Sequence, residues 1–141
     1  MTRYLLDTNI ISDAVKPVPS AKLANWMQAQ KDSDLFISAM SIAEIWRGIL
    51  LLAAGTKKAA LETWFVGSAG PARLFAGRVL VFDEPAALAW GRIMVDGKSQ
   101  GFTLDVADMI IAAIAEANQC VVVTANESDF RTVQSLNPMA G

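Results

Sequence analysis

The sequence predicts an α/β protein built on a parallel sheet with helices over both faces, and three observations carry that reading. Four short stretches have the length of strands and polar boundaries: Arg3-Tyr4-Leu5-Leu6, Leu35-Phe36-Ile37, Val79-Leu80-Val81-Phe82 and Val121-Val122-Val123. Their apolar residues are consecutive rather than alternating, as in strands buried on both faces. The segments between them repeat apolar residues at helical spacing.

Taken in order, the first strand stops at Asp7-Thr8-Asn9, and Ile10 to Val15 suits a short helix closed by the rigid connection Lys16-Pro17-Val18-Pro19. Ser20 caps a second helix whose Leu23, Trp26 and Met27 share a face. The polar turn Lys31 to Asp34 leads into the second strand. From Met40 to Ala54 the spacing of Ile42, Ile45, Trp46, Ile49 and Ala53 is helical, with Gly55 as terminator. Ala59 to Val66 predicts a further helix with Leu61, Trp64 and Phe65 turned inward. Gly67 to Pro71 is the loosest stretch but too short for a domain boundary, so residues 1–141 read as one domain. Beyond the third strand, Asp83-Glu84-Pro85 opens a helix with a carboxylate at its positive end and Pro in its first turn. Ala87, Trp90, Gly91, Met94 and Val95 form its inward stripe, and Gly97 to Gly101 breaks it. Another apolar helix runs from Asp105 to Ala117, ahead of the last strand.

Composition narrows the chemistry. The chain has 53% hydrophobic and 18% charged residues with a mean hydropathy of +0.35, which excludes disorder and suggests that a partner or a second copy covers part of the apolar surface. Trp26, and Trp64 with Phe65, are contributors to such a contact by this reading. A net charge of −2 and a pI near 5.0 give no global basic field, so any nucleic acid must meet a local rim. Arg3, Arg47, Lys57, Lys58, Arg73, Arg78 and Arg92 are the candidates for one. The single cysteine, Cys120, excludes a disulfide and a Cys-based zinc site. Histidine is absent, which removes His-based nucleophile systems, His-bound zinc and His as general base. No apolar run is long enough to span a membrane, and Asp7 and Asn9 interrupt any signal-peptide core, so the expected location is the cytoplasm.

Ligands of open α/β sheets bind beyond the carboxyl ends of the strands. Four polar stations lie there: Asp7 after the first strand, Glu44 in "SAMSIAEIWRG", Asp108 in "TLDVADMIIAAIAEA", and Thr124 with Asn126 in "VVVTANESDF". Each has an ordinary structural reading. Asp7 can cap the helix that follows, Ser41 and Glu44 form a capping-box pattern, Asp105 can cap the helix of Asp108, and Asn126 can be a turn residue. Convergence of all four on one edge favours a single acidic site. Crowded carboxylates need a proton or a hard cation, and Mg2+ or Mn2+ takes oxygen ligands while keeping waters. Without histidine, metal-activated water is the natural nucleophile, and phosphodiester hydrolysis the natural reaction.

In order and separation, these motifs resemble those of the PIN-domain family, in particular its VapC and FitB toxins of bacterial toxin–antitoxin pairs. "FAGRVLVFDEP", from Phe75 to Pro85, is similar to a block of the FitB branch. The resemblance spans Arg3 to about Phe130 and implies a single PIN domain with a Rossmann-like parallel sheet flanked by helices. It implies a Mg2+- or Mn2+-dependent endoribonuclease in which Asp7, Glu44 and Asp108 match the three core acidic positions. It also implies a homodimer and a cognate antitoxin, a small DNA-binding protein; charge complementarity alone would let an antitoxin Arg or Lys silence the enzyme by entering among those acids in place of the cation. The family's fourth acidic position falls on Asn126, which accepts through its carbonyl oxygen but brings no charge and so argues against a second metal. Asp105 and Asp129 are the nearby carboxylates able to compensate, although they read first as a cap and a turn residue. Thr8, Asn9 and Thr124 would orient carboxylates and waters behind the ligands. Two other metal-dependent or phosphate-handling classes fit less well. A HAD-type phosphatase needs a second Asp where Asn9 stands, and a response-regulator receiver needs a Lys after the fourth strand. A silent binding module that keeps the fold has the missing charge at Asn126 in its favour.

Overall fold

The computed structural model describes residues 1–140. Its strands are β1 (Arg3–Leu6), β2 (Leu35–Ser38), β3 (Val79–Leu80), β4 (Cys120–Val123) and β5 (Ser135–Leu136). Its helices are α1 (Thr8–Ala14), α2 (Ala21–Ala29), α3 (Ala39–Leu50), α4 (Thr56–Val66), α5 (Pro71–Leu74), α6 (Glu84–Ser99) and α7 (Val106–Ala117). The strands form one parallel sheet in the order β3-β2-β1-β4-β5. β1 is therefore central, with Leu5 opposite Phe36 on one side and Val122 on the other.

Successive residues of a strand face opposite ways, and the core follows that rule. Leu5, Phe36 and Val122 point to one face, where α6 and α7 supply Ala86, Ile93 and the run Ile111 to Ala115. Leu6, Ile37 and Val123 point to the other, against Ile10, Ile11, Leu23 and Phe75. Burial on both faces explains why the strands read as continuous apolar runs.

Several expectations shift. α1 begins at Thr8, two residues before the apolar pattern, because Asp7 caps it. α3 ends at Leu50 rather than Ala54, where the Lys58 ammonium donates to the Leu50 carbonyl at 3.3 Å. Gly55 is consequently the N-cap of α4 and not the terminator of α3. No residue of α4 is fully buried: Leu61 and Trp64 are half-buried, and Phe65 stacks on Trp46 at 4.7 Å. The inward stripe of α6 is rotated, with Ala86, Ile93 and Gly97 buried while Ala87 and Val95 face out. Gly97 lies inside the helix instead of ending it, and a Cβ there would come within 2.8 Å of Leu104 Cδ1. Trp90 and Met94 do pack against the core, half-buried. The third strand is two residues long because it is an edge with β2 as its only partner, and Val81 and Phe82 beyond it are exposed. α5 and β5 were absent from the sequence reading, since neither has a run long enough to show a period.

Among the candidate rim cations, three are spent inside the fold. Arg3 donates to the Asn118 carbonyl and lies over the Phe36 ring. Arg92 pairs with Glu116 and Asp96. Arg78, from the "FAGRVLVFDEP" block, donates to the carbonyls of Asp32, Leu35 and Leu74 with its guanidinium over Phe75. It ties the start of β2 to α5.

The entry to α5 is tight. A Cβ on Gly70 would stand 2.1 Å from the Phe65 carbonyl oxygen, a backbone atom that cannot rotate away. Gly70→Ala should therefore destabilise the chain by about 3 kcal/mol, the upper end of what overpacking costs, read as a lower midpoint in urea unfolding. A midpoint equal to that of the unaltered chain would refute this packing.

Candidate active site

Asp7 stands where β1 becomes α1. Its N–H donates to the Val123 carbonyl at 2.8 Å, extending the β1–β4 ladder by one residue. Its own carbonyl accepts from Ile10 and Ile11 and starts the helix. The side chain is thereby fixed at the carboxyl edge of the two central strands, only 5% exposed. Oδ1 accepts from the Thr8 N–H at 2.8 Å and Oδ2 from the Thr124 hydroxyl at 2.9 Å. Asp7 is thus both a cap and a buried carboxylate facing the sheet edge; the two readings of its sequence coincide. Thr124, itself fully buried, is held by its N–H to the Leu136 carbonyl, so the short β5 has a task in the site.

Glu44 projects from the second turn of α3. The capping box expected at Ser41 does not form, because the N-cap is Ser38, whose Oγ accepts from the Ser41 N–H at 3.0 Å. Glu44 is left free of capping, and its Oε1 takes the Thr8 hydroxyl at 2.6 Å. Thr8 therefore bridges two acids, with its backbone on Asp7 and its side chain on Glu44.

Asp108 lies in the first turn of α7, where its N–H donates to Asp105 Oδ1 at 2.9 Å. Asp105 is a cap, as expected. Asn9 Oδ1 accepts from the Ala125 N–H at 3.3 Å and steers the loop after β4. In that loop Asn126 is exposed; its N–H donates to Thr124 Oγ1, and its carbonyl accepts from the Asp129 N–H. Asn126 itself thus serves as a turn residue.

The acids share one field. Burial, above all, raises the Asp7 carboxyl above its ordinary range; the Thr124 and Thr8 hydrogen bonds oppose this, and the charges of Glu44 and Asp129 add to it. The Asp108 carboxyl is pushed up to about 7, first by burial, then by Asp105, Asp7, Asp129 and Glu44. Asp129, read first as a turn residue and second as a compensating carboxylate, lies in a short turn after β4, and its charge adds to the upward push on both Asp7 and Asp108. Ion pairs among the described residues involve Asp13, Asp96 and Glu116, none of which belongs to this site.

The donor set suits a hard cation: oxygen ligands only, crowded, and paying for their burial with raised affinity for protons. Among the described residues no three such side chains already enclose a metal position. An ion here would be held by one or two carboxylates and complete its shell with waters, which is how Mg2+ is commonly bound. Ser38 and Ser41 were missed as neighbours of the site, because a serine beside a helix start reads as a cap and nothing in the pattern shows which way its hydroxyl turns.

Alongside the acids runs a groove of about 480 Å³. Thr8 and Glu44 line it together with the apolar Ile45, Ile49, Leu61 and Trp64 and the cations Lys16 and Lys57.

Residues 4–136 match the PIN domain family. The chain is 37% identical over 126 residues to Toxin FitB of Neisseria gonorrhoeae, covering 89% of each protein. It is 34% identical over 136 residues to VapC ribonuclease Y4jK of Sinorhizobium fredii, covering 95% of this chain and 96% of that one. The solved structure of FitAcB from Neisseria gonorrhoeae superposes with a TM-score of 0.87 at 36% identity, covering 96% of this chain and 97% of its counterpart.

The electrostatics of Asp108 have a measurable sign. In the folded chain its carboxyl keeps its proton up to about pH 7, whereas in the unfolded chain it ionises near pH 4. Between those values the folded state binds more protons, so stability contributed by the protonated form is present below about pH 4 and lost as pH rises through about 7. With divalent cations chelated, Asp108→Asn should therefore melt above the unaltered chain at pH 8 and level with it at pH 4. A variant less stable than the parent at pH 8 would show the sign to be wrong.

Proposed function

The chain belongs to the PIN-domain family, and from that premise we propose that it is the toxin of a type II toxin–antitoxin pair, a Mg2+- or Mn2+-dependent endoribonuclease. The observation that supports this reading is the pair of hydroxyl contacts at one sheet edge, Thr8 to Glu44 and Thr124 to Asp7, with the charges of Glu44 and Asp129 acting on both Asp7 and Asp108. Relatives named as a toxin and as a ribonuclease match its sequence over 89% and 96% of their own length.

A bound cation would supply Lewis acidity and a water acidic enough to attack a phosphodiester at neutral pH. The chain's own residues do the rest. Asp7 is the best fixed ligand, with one donor on each oxygen, and Asp108 and Glu44 approach from α7 and α3. Thr8 and Thr124 hold Glu44 and Asp7 still, and Asn126 offers a neutral oxygen at the rim. The absence of charge at Asn126 supports one cation rather than two.

The partners follow from the surfaces. The apolar groove that Thr8 and Glu44 help to line fits an antitoxin segment whose aliphatic side chains line the trough and whose Arg or Lys enters the acidic pocket in place of the cation. The toxin itself would be a cytoplasmic homodimer; among the described residues no helix is long and apolar enough to cross a membrane. Trp26 and Phe65, expected at the dimer contact, are already engaged within the chain by Tyr4 and Trp46. Leu88 and Val95, exposed one above the other on α6, and the neighbouring Phe82 are better placed for it.

Asp7→Ala should lower Mn2+-stimulated RNA cleavage by about 100-fold or more while the chain stays folded. Parental activity in the variant, titrated with Mn2+, would remove Asp7 from the site. In sedimentation the chain should run as a dimer at micromolar concentration, and Leu88→Glu should split it; a monomeric parent would sink the dimer.

A further inference from the structure

Behind the acids lies a layer of hydroxyls that charge alone does not explain. Ser38 and Ser41 are both 0% exposed, and a buried hydroxyl costs free energy unless it is hydrogen-bonded. Ser38 has its answer in capping α3. The Ser41 hydroxyl caps nothing. It lies 3.4 Å from Ser38 Oγ and 2.9 Å from Thr8 Oγ1, which in turn is 2.6 Å from Glu44 Oε1.

Proton counting orders this chain. A hydroxyl has one proton, and an ionised carboxylate can only accept, so the 2.6 Å contact claims the proton of Thr8 for Glu44. The contact between Thr8 and Ser41 is then filled by the proton of Ser41, and Ser38 supplies the next. Three hydroxyls thus donate in sequence, Ser38 to Ser41 to Thr8, and end on the carboxylate. Donation in one direction polarises each link and strengthens the last. Thr8 sits in α1 and Glu44 in α3, so this relay links the two helices at the site, beside the apolar packing of Ile10 and Ile11 with Ile42 and Ile45. Without Ser41, the Thr8 side chain would keep its bond to Glu44 but lose the contact that fixes its rotation.

We propose that Ser41 is a positioning residue for Glu44, acting through Thr8. The inference rests on the reading of Glu44 as part of the nuclease site, but its geometry can be tested apart from that reading. Ser41→Ala leaves the Ser41 N–H to Ser38 Oγ bond in place, so the helix cap survives.

The experiment combines a double-mutant cycle in unfolding with Mn2+ calorimetry on the full chain. Without metal, Ser41→Ala and Glu44→Gln should be non-additive, by about fivefold in the unfolding equilibrium constant, the equivalent of one net hydrogen bond. That coupling should vanish in a Thr8→Val background and persist in Thr8→Ser. With metal, Ser41→Ala should weaken Mn2+ binding about tenfold, as loss of a supporting contact does. Additive effects of Ser41→Ala and Glu44→Gln, or coupling that survives Thr8→Val, would overturn the proposal. An unaltered chain that binds no Mn2+ yet shows the coupling would overturn the nuclease reading and uphold the positioning role.

Discussion

The structure turns on a carboxylate set where a sheet would rather have an apolar residue. Asp7 follows two fully buried leucines on the central strand, and its side chain is nearly as inaccessible as theirs. Such a group is tolerated only if its oxygens are met by donors. The donors come from different places: the Thr8 N–H at the start of α1, and the Thr124 hydroxyl at the end of β4. Satisfying Asp7 therefore fixes the first helix, the loop after β4 and, through Thr124, the edge strand β5. The polarity that makes chemistry possible also locks the neighbouring segments in place.

The remaining acids illustrate how one position serves two needs. A helix start welcomes negative charge, so α7 accommodates Asp105 and Asp108 even though Asp105 and Asp7 both act against the charge of Asp108. Glu44 lies deeper in its helix and gains no such help; a side-chain hydroxyl from another helix holds it instead. The site is thus assembled from three helix starts and one strand end, each rigid on its own account.

What was legible in the sequence follows from where side-chain identity determines structure. β1, β2 and β4 were readable because burial on both faces leaves only apolar residues possible there. Asp7, Glu44 and Asp108 stood out as carboxylates beside apolar runs, and their ordered motifs carried the family resemblance. β5 and α5 were not readable: two and four residues show no period, and tertiary contacts alone create them. The stripe of α6 was misjudged because several of its faces carry small or apolar residues, and only the partner α7 chooses among them. Ser38 and Ser41 escaped because the same residue types serve caps and networks alike, and the difference lies in rotamers.

The hydrogen bond between Thr124 and Asp7 joins residues 117 positions apart in the chain. It forms only after β4 has been made and laid beside β1, and the N–H of Thr124 is anchored to Leu136 further on. A ribosome synthesising this protein must therefore release the residues from Asp7 to β5 before the acidic edge can close. Thr124 and Leu136 must both be in place before Asp7 has all of its donors, so the acidic edge is among the last parts of the fold that synthesis can complete.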